Sequence, residues 1–224
     1  MALTDNLIEY WKLDGDSKGV LGKNGSDTLV TYSASNGKLI QGAGFSGTGY
    51  IEVANNPAFT TTSELSISLW MNTTVIQPAK TLIGKPSNVI LGQNGWDIST
   101  GSLPNQLSFV MLGLTPFEEI ITANVYDGNW HHIVLTYGSN NLICYVDNAV
   151  ALNSNKTGTL SYNYNPIAIG SFYRDAYGAA FNFTGALDEV GIWKRKLSAG
   201  EVSDLYLEGN GSQYPFRDKM FLSI

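Results

Sequence analysis

An all-β fold is predicted: two antiparallel sheets in a jelly-roll sandwich, with one short C-terminal helix. Three observations predict it. Short runs of β-branched and aromatic residues recur a dozen or more times, separated by turn residues. The 224 residues include 24 Gly but only 14% charged side chains, which fits many strands joined by turns. Helical periodicity appears once, so strands and helices do not alternate as a parallel α/β sheet requires.

The elements follow in order. Leu7 to Leu13 is the first strand, with Trp11 as its core anchor. Asp14 to Asp27 is a polar, Gly-rich loop dense in oxygen donors. Short strands are expected at 28–32, 38–40, 44–45 and 50–53. Leu65 to Met71 alternates strictly, with Leu65, Ile67, Leu69 and Met71 on one face. A meander at 81–83, 89–91 and 96–99 precedes an antiparallel pair at 106–112 and 119–124.

The centre of the chain is the hairpin of Trp130–Tyr137 and Leu142–Val146, joined by Gly138-Ser139-Asn140-Asn141, residues that tolerate turn angles. Both faces of its second arm carry apolar residues, which places a layer on each side of it. Strands at 165–170 and 181–193 follow. The helix spans Ser198 to Glu208: Ser198 and Glu201 form a capping box, Val202, Leu205 and Tyr206 form an apolar stripe, and Gly209 stops it. Residues 1–216 read as one domain and 217–224 as a tail, whose Met220, Phe221, Leu222 and Ile224 either fray or dock on the domain or a neighbouring subunit.

The net charge of −6 excludes a nucleic-acid partner, because no basic patch can neutralise phosphates. Cys144 stands alone, so no intrachain disulfide forms, and its mid-strand position reads as a small buried hydrophobe. No run of 18 apolar residues predicts a membrane span, and the start MALTDNLIEYWKL lacks the features of a Sec signal peptide.

Catalysis finds little support. Glycoside hydrolysis needs two facing carboxylates, which on a single strand must share a face, and Asp188-Glu189 and Glu118-Glu119 are adjacent pairs expected to point to opposite faces. His131 and His132 likewise diverge and cannot chelate one metal from a regular strand. No phosphate loop or Ser/His/Asp arrangement is readable, so the chain is expected not to be an enzyme.

Three stretches occur together: Glu9-Tyr10-Trp11-Lys12-Leu13-Asp14, Asp127-Gly128-Asn129-Trp130-His131-His132-Ile133-Val134, and Phe183 to Trp193 (FTGALDEVGIW) running into Leu197-Ser198-Ala199-Gly200-Glu201-Val202. In this order the chain resembles the laminin G-like, concanavalin A-like lectin/glucanase superfamily, in particular its phage and bacterial surface-protein branch. The likeness covers roughly residues 7–216, and the close at Tyr206 to Phe216 is similar to phage members. The resemblance implies a non-catalytic recognition or structural module, a capsid decoration or fibre part of a virion with carbohydrate-binding potential. Its alternative is a bacterial surface adhesion domain. The expected place is the virion or an extracellular surface. The partners are host glycans, other virion or surface proteins, or a second copy of the chain in a homo-oligomer. The Trp-His-His segment is structural in that family.

Many relatives also hold one calcium ion between the N-terminal loop and the aspartate that Asp188 matches. Asp16, Asn24 and Asp27, with Asp14, offer loop oxygens of the kind calcium takes. The loop departs from the family pattern, since Gly22 or Lys23 stands where the acidic residue is usual. Structural calcium, held by Asp16, Asn24, Asp27 and Asp188, is therefore an expectation beside its alternative, in which Asp188 ties a loop through backbone amides. Sugar binding needs aromatics for stacking and polar groups for hydroxyls. Tyr162, Tyr164, Tyr173, Arg174, Asp175 and Tyr177 supply both in loop contexts and are the candidate ligand-binding residues.

Overall fold

The computed structural model describes residues 1–85, 95–162, 164–172 and 181–216. Its strands in chain order are β1 (Leu7–Trp11), β2 (Gly25–Thr28), β3 (Thr31–Ser33), β4 (Gly42–Ser46), β5 (Tyr50–Val53), β6 (Leu65–Asn72), β7 (Thr81–Lys85), β8 (Trp96–Thr100), β9 (Gln106–Met111), β10 (Leu114–Thr115), β11 (Glu118–Thr122), β12 (His131–Gly138), β13 (Asn141–Val146), β14 (Ala149–Asn155), β15 (Thr157–Gly158), β16 (Ile167–Ile169) and β17 (Thr184–Trp193). One α-helix, α1 (Ala199–Tyr206), follows.

The predicted class is observed. One sheet runs β14-β13-β12-β6-β17-β4-β3 with β1 added on β17, and the other runs β11-β9-β8-β7-β16-β5-β2. All pairings within the two sheets are antiparallel. Alternation explains the core between them: Ile67, Leu69, Ile133 and Leu135 of the first sheet meet Ile83, Ile98, Leu107 and Phe109 of the second. Each such aliphatic or aromatic side chain contributes about 1.5–3 kcal/mol on burial.

The outer face of the first sheet is sealed by a second apolar cluster of Leu3, Tyr10, Val134, Tyr145, Trp193, Val202 and Leu205. Here α1 packs down. Its capping box forms as the sequence predicts, with Ser198 accepting from the Glu201 amide and Glu201 Oε2 accepting from the Ser198 amide. The central hairpin thus lies between layers. Its turn is the two residues Ser139 and Asn140, both at positive φ (53° and 57°).

Two of the expected strands are corrected. The strand expected at 28–32 is broken at Leu29, whose φ is +51°, into β2 and β3. Residues 38–40 are not a strand, because the Lys38 and Leu39 amides are turned to the Asp188 carboxylate. The edge strand β14 was not expected. It follows a second positive-φ turn at Asp147-Asn148 (50° and 65°), and its exposed, half-polar sequence carries no clean alternation. Trp130 is only half-buried and outside both apolar clusters, so it does not fill the sandwich. The strand expected at 89–91 and the tail at 217–224 lie outside the described residues.

Candidate functional site

The two sheets differ on their outer faces. The first is covered by α1, whereas the second carries a groove of about 390 Å³ across β7, β8, β9 and β11. Alternation builds it. Trp96, Ile98, Leu107, Phe109 and Ile121 point into the sandwich, so Asp97, Ser99, Ser108, Val110 and Glu118 point out. Register aligns them: Gly84 faces Asp97, Asp97 faces Val110, and Val110 faces Glu118. Asp97 and Glu118 therefore flank Val110 from strands two apart, about 10 Å between backbones. Gly84 permits this packing, since a Cβ there would meet the Asp97 Cβ at 3.0 Å.

An aromatic wall closes one side. Phe172 and Phe181 pack with ring centroids 5.5 Å apart and planes tilted 56°. The wall is pinned behind: Ser171 donates to Asn182 Oδ1 (2.6 Å), and Asn182 bridges to Thr81 of β7. In the groove, the Ser99 hydroxyl donates to Asp97 Oδ1 (3.0 Å) and the Ser108 hydroxyl to Glu118 Oε1 (2.7 Å). Burial pushes the Asp97 carboxyl up to about 7; Glu118 pushes the same way and the Ser99 hydroxyl opposes. Hydroxyls, carboxylates and an aromatic wall in one groove suit a polyhydroxylated ligand. A second cavity of about 410 Å³, near Thr31, Asn36, Asn72 and Thr74 on the other sheet, has no titratable side chain in its lining.

The residues expected to bind ligand are placed differently. Tyr164 is fully exposed in a loop, and Tyr162 packs against the central core. Neither lines the groove. Tyr173, Arg174, Asp175 and Tyr177 lie outside the described residues, in sequence between the two wall phenylalanines.

The expected calcium donors do not converge. Asp16 accepts from the amide (3.0 Å) and ammonium (2.8 Å) of Lys18. Asn24 Oδ1 accepts from the Gly19 amide (3.2 Å), and Asp27 Oδ2 from the Tyr32 hydroxyl (3.0 Å). Asp188 Oδ2 accepts from the Lys38 (2.8 Å) and Leu39 (2.9 Å) amides. Among the described residues no group of three His, Cys, Asp or Glu is arranged to hold a metal. These donor oxygens are spoken for by protein N–H and O–H groups, so they do not fit a calcium ion in this arrangement. The 14–27 loop is instead organised by fully buried Glu9. Its Oε1 accepts from the Tyr10 (2.9 Å) and Leu21 (2.6 Å) amides, and its Oε2 from the Lys23 amide (2.7 Å).

The expectation that Asp188 and Glu189 point apart is overturned. A β-bulge sits between Asp188 and Gly191, with Glu189 at φ +52°. Leu187 and Val190 both face the core, so both acids fall on the outer face. Both are buried: Glu189 accepts from the Tyr10 hydroxyl (2.5 Å) and from Gln213 Nε2 (2.8 Å), and Gln213 also donates to Asp14 (2.6 Å). Burial pushes Asp188 up to about 8 and Glu189 up to about 7. Sealed under the C-terminal segment, this pair braces the fold.

The histidines diverge as expected. His131 pairs with Asp147 (2.7 Å) and Asp127 (3.0 Å), and these carboxylates raise its pKa above the ordinary imidazole value. His132 is buried against Trp70, with centroids 4.9 Å apart, and is pushed down to about 3.

Sequence reasoning missed the groove because its four polar residues come from three strands and form no local motif. The signal was there in WDIST, QLSFVM and EEIIT, where polar and apolar residues alternate; pairing those strands in register would have found it.

Comparison with known proteins bears on the fold. The family model described as the concanavalin A-like lectin/glucanases superfamily matches residues 45–203. No curated protein matches the chain. Domain 4 of AbnA, a GH43 extracellular arabinanase from Geobacillus stearothermophilus solved with arabinotriose, aligns with TM-score 0.69 at 17% identity, covering 89% of this chain and 97% of that one. The binding domain of Paraclostridial Mosquitocidal Protein 1 aligns with TM-score 0.69 at 18% identity, over 90% of this chain and 52% of that one. The receptor-binding domain of botulinum neurotoxin D aligns with TM-score 0.64 at 13% identity, over 92% and 53%. The chain spans about half of each toxin domain, and at these identities the likeness shows the fold.

Proposed function

We propose that this chain, which belongs to the concanavalin A-like lectin/glucanases superfamily, is a non-catalytic glycan-recognition module whose site is the groove on β7, β8, β9 and β11. The observation that carries this reading is the joining of a pinned Phe172–Phe181 wall to a floor of Ser99, Ser108, Asp97 and Glu118. A sugar stacks a C–H face on the aromatic rings, and its hydroxyls donate to carboxylates and exchange bonds with serines. Carbohydrate- and receptor-binding domains among the structural neighbours support the same reading.

A glycan array tests it, followed by calorimetry on the best binder. Phe181→Ala is expected to weaken binding about tenfold or more, the loss of one stacking contact of about 1.4 kcal/mol. An array without any binder, in calcium and in chelator alike, sinks the reading. Affinity lost only in chelator would report a divalent cation held elsewhere than by the present arrangement of Asp16, Asn24, Asp27 and Asp188. Release of reducing ends from the bound oligosaccharide overturns the non-catalytic part, because inverting glycosidases hold their acid and base ~6.5–9.5 Å apart and Asp97 and Glu118 would then be that pair.

The setting we propose is a phage virion or a microbial surface, as capsid decoration, fibre part or adhesion domain. The sequence resemblance around Tyr206 to Phe216 supports it. Purified particles are expected to contain the chain at a fixed ratio to the major capsid protein, and particles that lack it rule the virion setting out.

A further inference from the structure

The charge pattern of the groove names a ligand class, and this inference rests on the reading of the groove as a saccharide site. Asp97 and Glu118 stand on either side of Val110, each with one carboxylate oxygen engaged by a serine hydroxyl. Among the described residues, the other oxygen of each has no hydrogen-bond partner, and no Lys, Arg or His lines the groove. Further along the same register row, past Gly84 and Ala168, lies a third carboxylate, Glu52 of β5. The floor thus presents two acids, with a third beyond it in the same row, on a chain of net charge −6. Next along β11, Glu119 holds Lys156 at 2.6 Å, and beside α1 Glu201 holds Arg195 at 2.7 Å. Among the described residues, Asp97 and Glu118 have no such cation. A ligand that brings its own cation to the space above Val110 gains charge-assisted hydrogen bonds to both carboxylates, while an anionic ligand meets repulsion from all three.

We propose that the groove binds saccharides bearing a primary ammonium group, that is, hexosamine units without the N-acetyl group, and excludes uronate and sialic acid units. The ammonium sits between Asp97 and Glu118, and the pyranose face lies on the Phe172–Phe181 wall.

Calorimetry on the full chain tests this with a glucosamine tetramer, its N-acetylated counterpart, a galacturonate tetramer and a tetralysine peptide. The glucosamine tetramer is expected to bind at least tenfold tighter than the acetylated one, and the galacturonate tetramer not at all. Asp97→Asn and Glu118→Gln are each expected to abolish that preference with thermal midpoints unchanged. Between pH 6 and pH 7.5 the preference is expected to grow, as Asp97, facing Glu118 across Val110, loses its proton. Equal affinity for the acetylated tetramer, or a preference that survives both variants, overturns the inference but leaves the saccharide reading standing. Tight tetralysine binding without glucosamine binding overturns it in favour of a peptide ligand. A glycan array without any binder removes the saccharide reading itself.

Discussion

Replacing Glu9 by alanine is expected to destabilise the domain by about 4 kcal/mol, as one buried and two part-buried amides lose their acceptor at about 1–3 kcal/mol each, with partial relief from water entering the loop. The amides are those of Tyr10, Leu21 and Lys23, and the side chain that receives them has no exposed surface. The loop has adapted to this carboxylate: a Cβ on Gly19 would lie 2.5 Å from the Glu9 Cδ. Urea denaturation measures the effect, and the thermal midpoint is expected to fall by roughly 8–16 °C for a chain of this size. A loss below about 1 kcal/mol would show that the loop is held instead by Trp11, whose Nε1 donates to the Lys23 carbonyl (2.8 Å).

Acidification from pH 8 to pH 5 is expected to stabilise the protein. Burial raises Asp188 to about 8 and Glu189 to about 7, far above the values that both carboxyls take in an unfolded chain. The folded state therefore holds protons that the unfolded state releases. That contribution is complete below the unfolded carboxyl range, around pH 4, and is lost as pH rises through 7 to 8. Each such proton is worth on the order of 1.4 kcal/mol per pH unit, so the two together change stability by several kcal/mol across this range. His131 pulls in the same direction, because its folded-state pKa is raised by Asp147 and Asp127, while buried His132, pushed down to about 3, opposes below about pH 6.5 with one proton against the two of Asp188 and Glu189. Thermal melts across the range report the slope, and Asp188→Asn is expected to flatten it. A midpoint that climbs with pH from 5 to 8 would falsify the assignment of raised pKa values to this pair.

The layers of the fold were readable because they depend on period-two alternation, which β6 shows along its whole length, and on one capping box, which α1 uses as written. What could not be read were departures from that period. The bulge at Glu189 places two consecutive acids on one face, and nothing in the residues Asp-Glu announces a positive φ. The Asp188 side chain was legible as a tie but not its target, because the Lys38–Leu39 amides come from 150 positions away in sequence. The groove was hidden for a related reason. Its chemistry exists only after β8, β9 and β11 are laid side by side, and an isolated Asp97 or Ser108 looks like any solvent-facing strand residue.

The sealing of one sheet has a consequence for how the domain would be mounted. Leu3 at one described end and Phe216 at the other both belong to the cluster under α1, while the groove opens on the opposite sheet. Both described ends thus lie behind the proposed saccharide groove and leave that face of the described fold open.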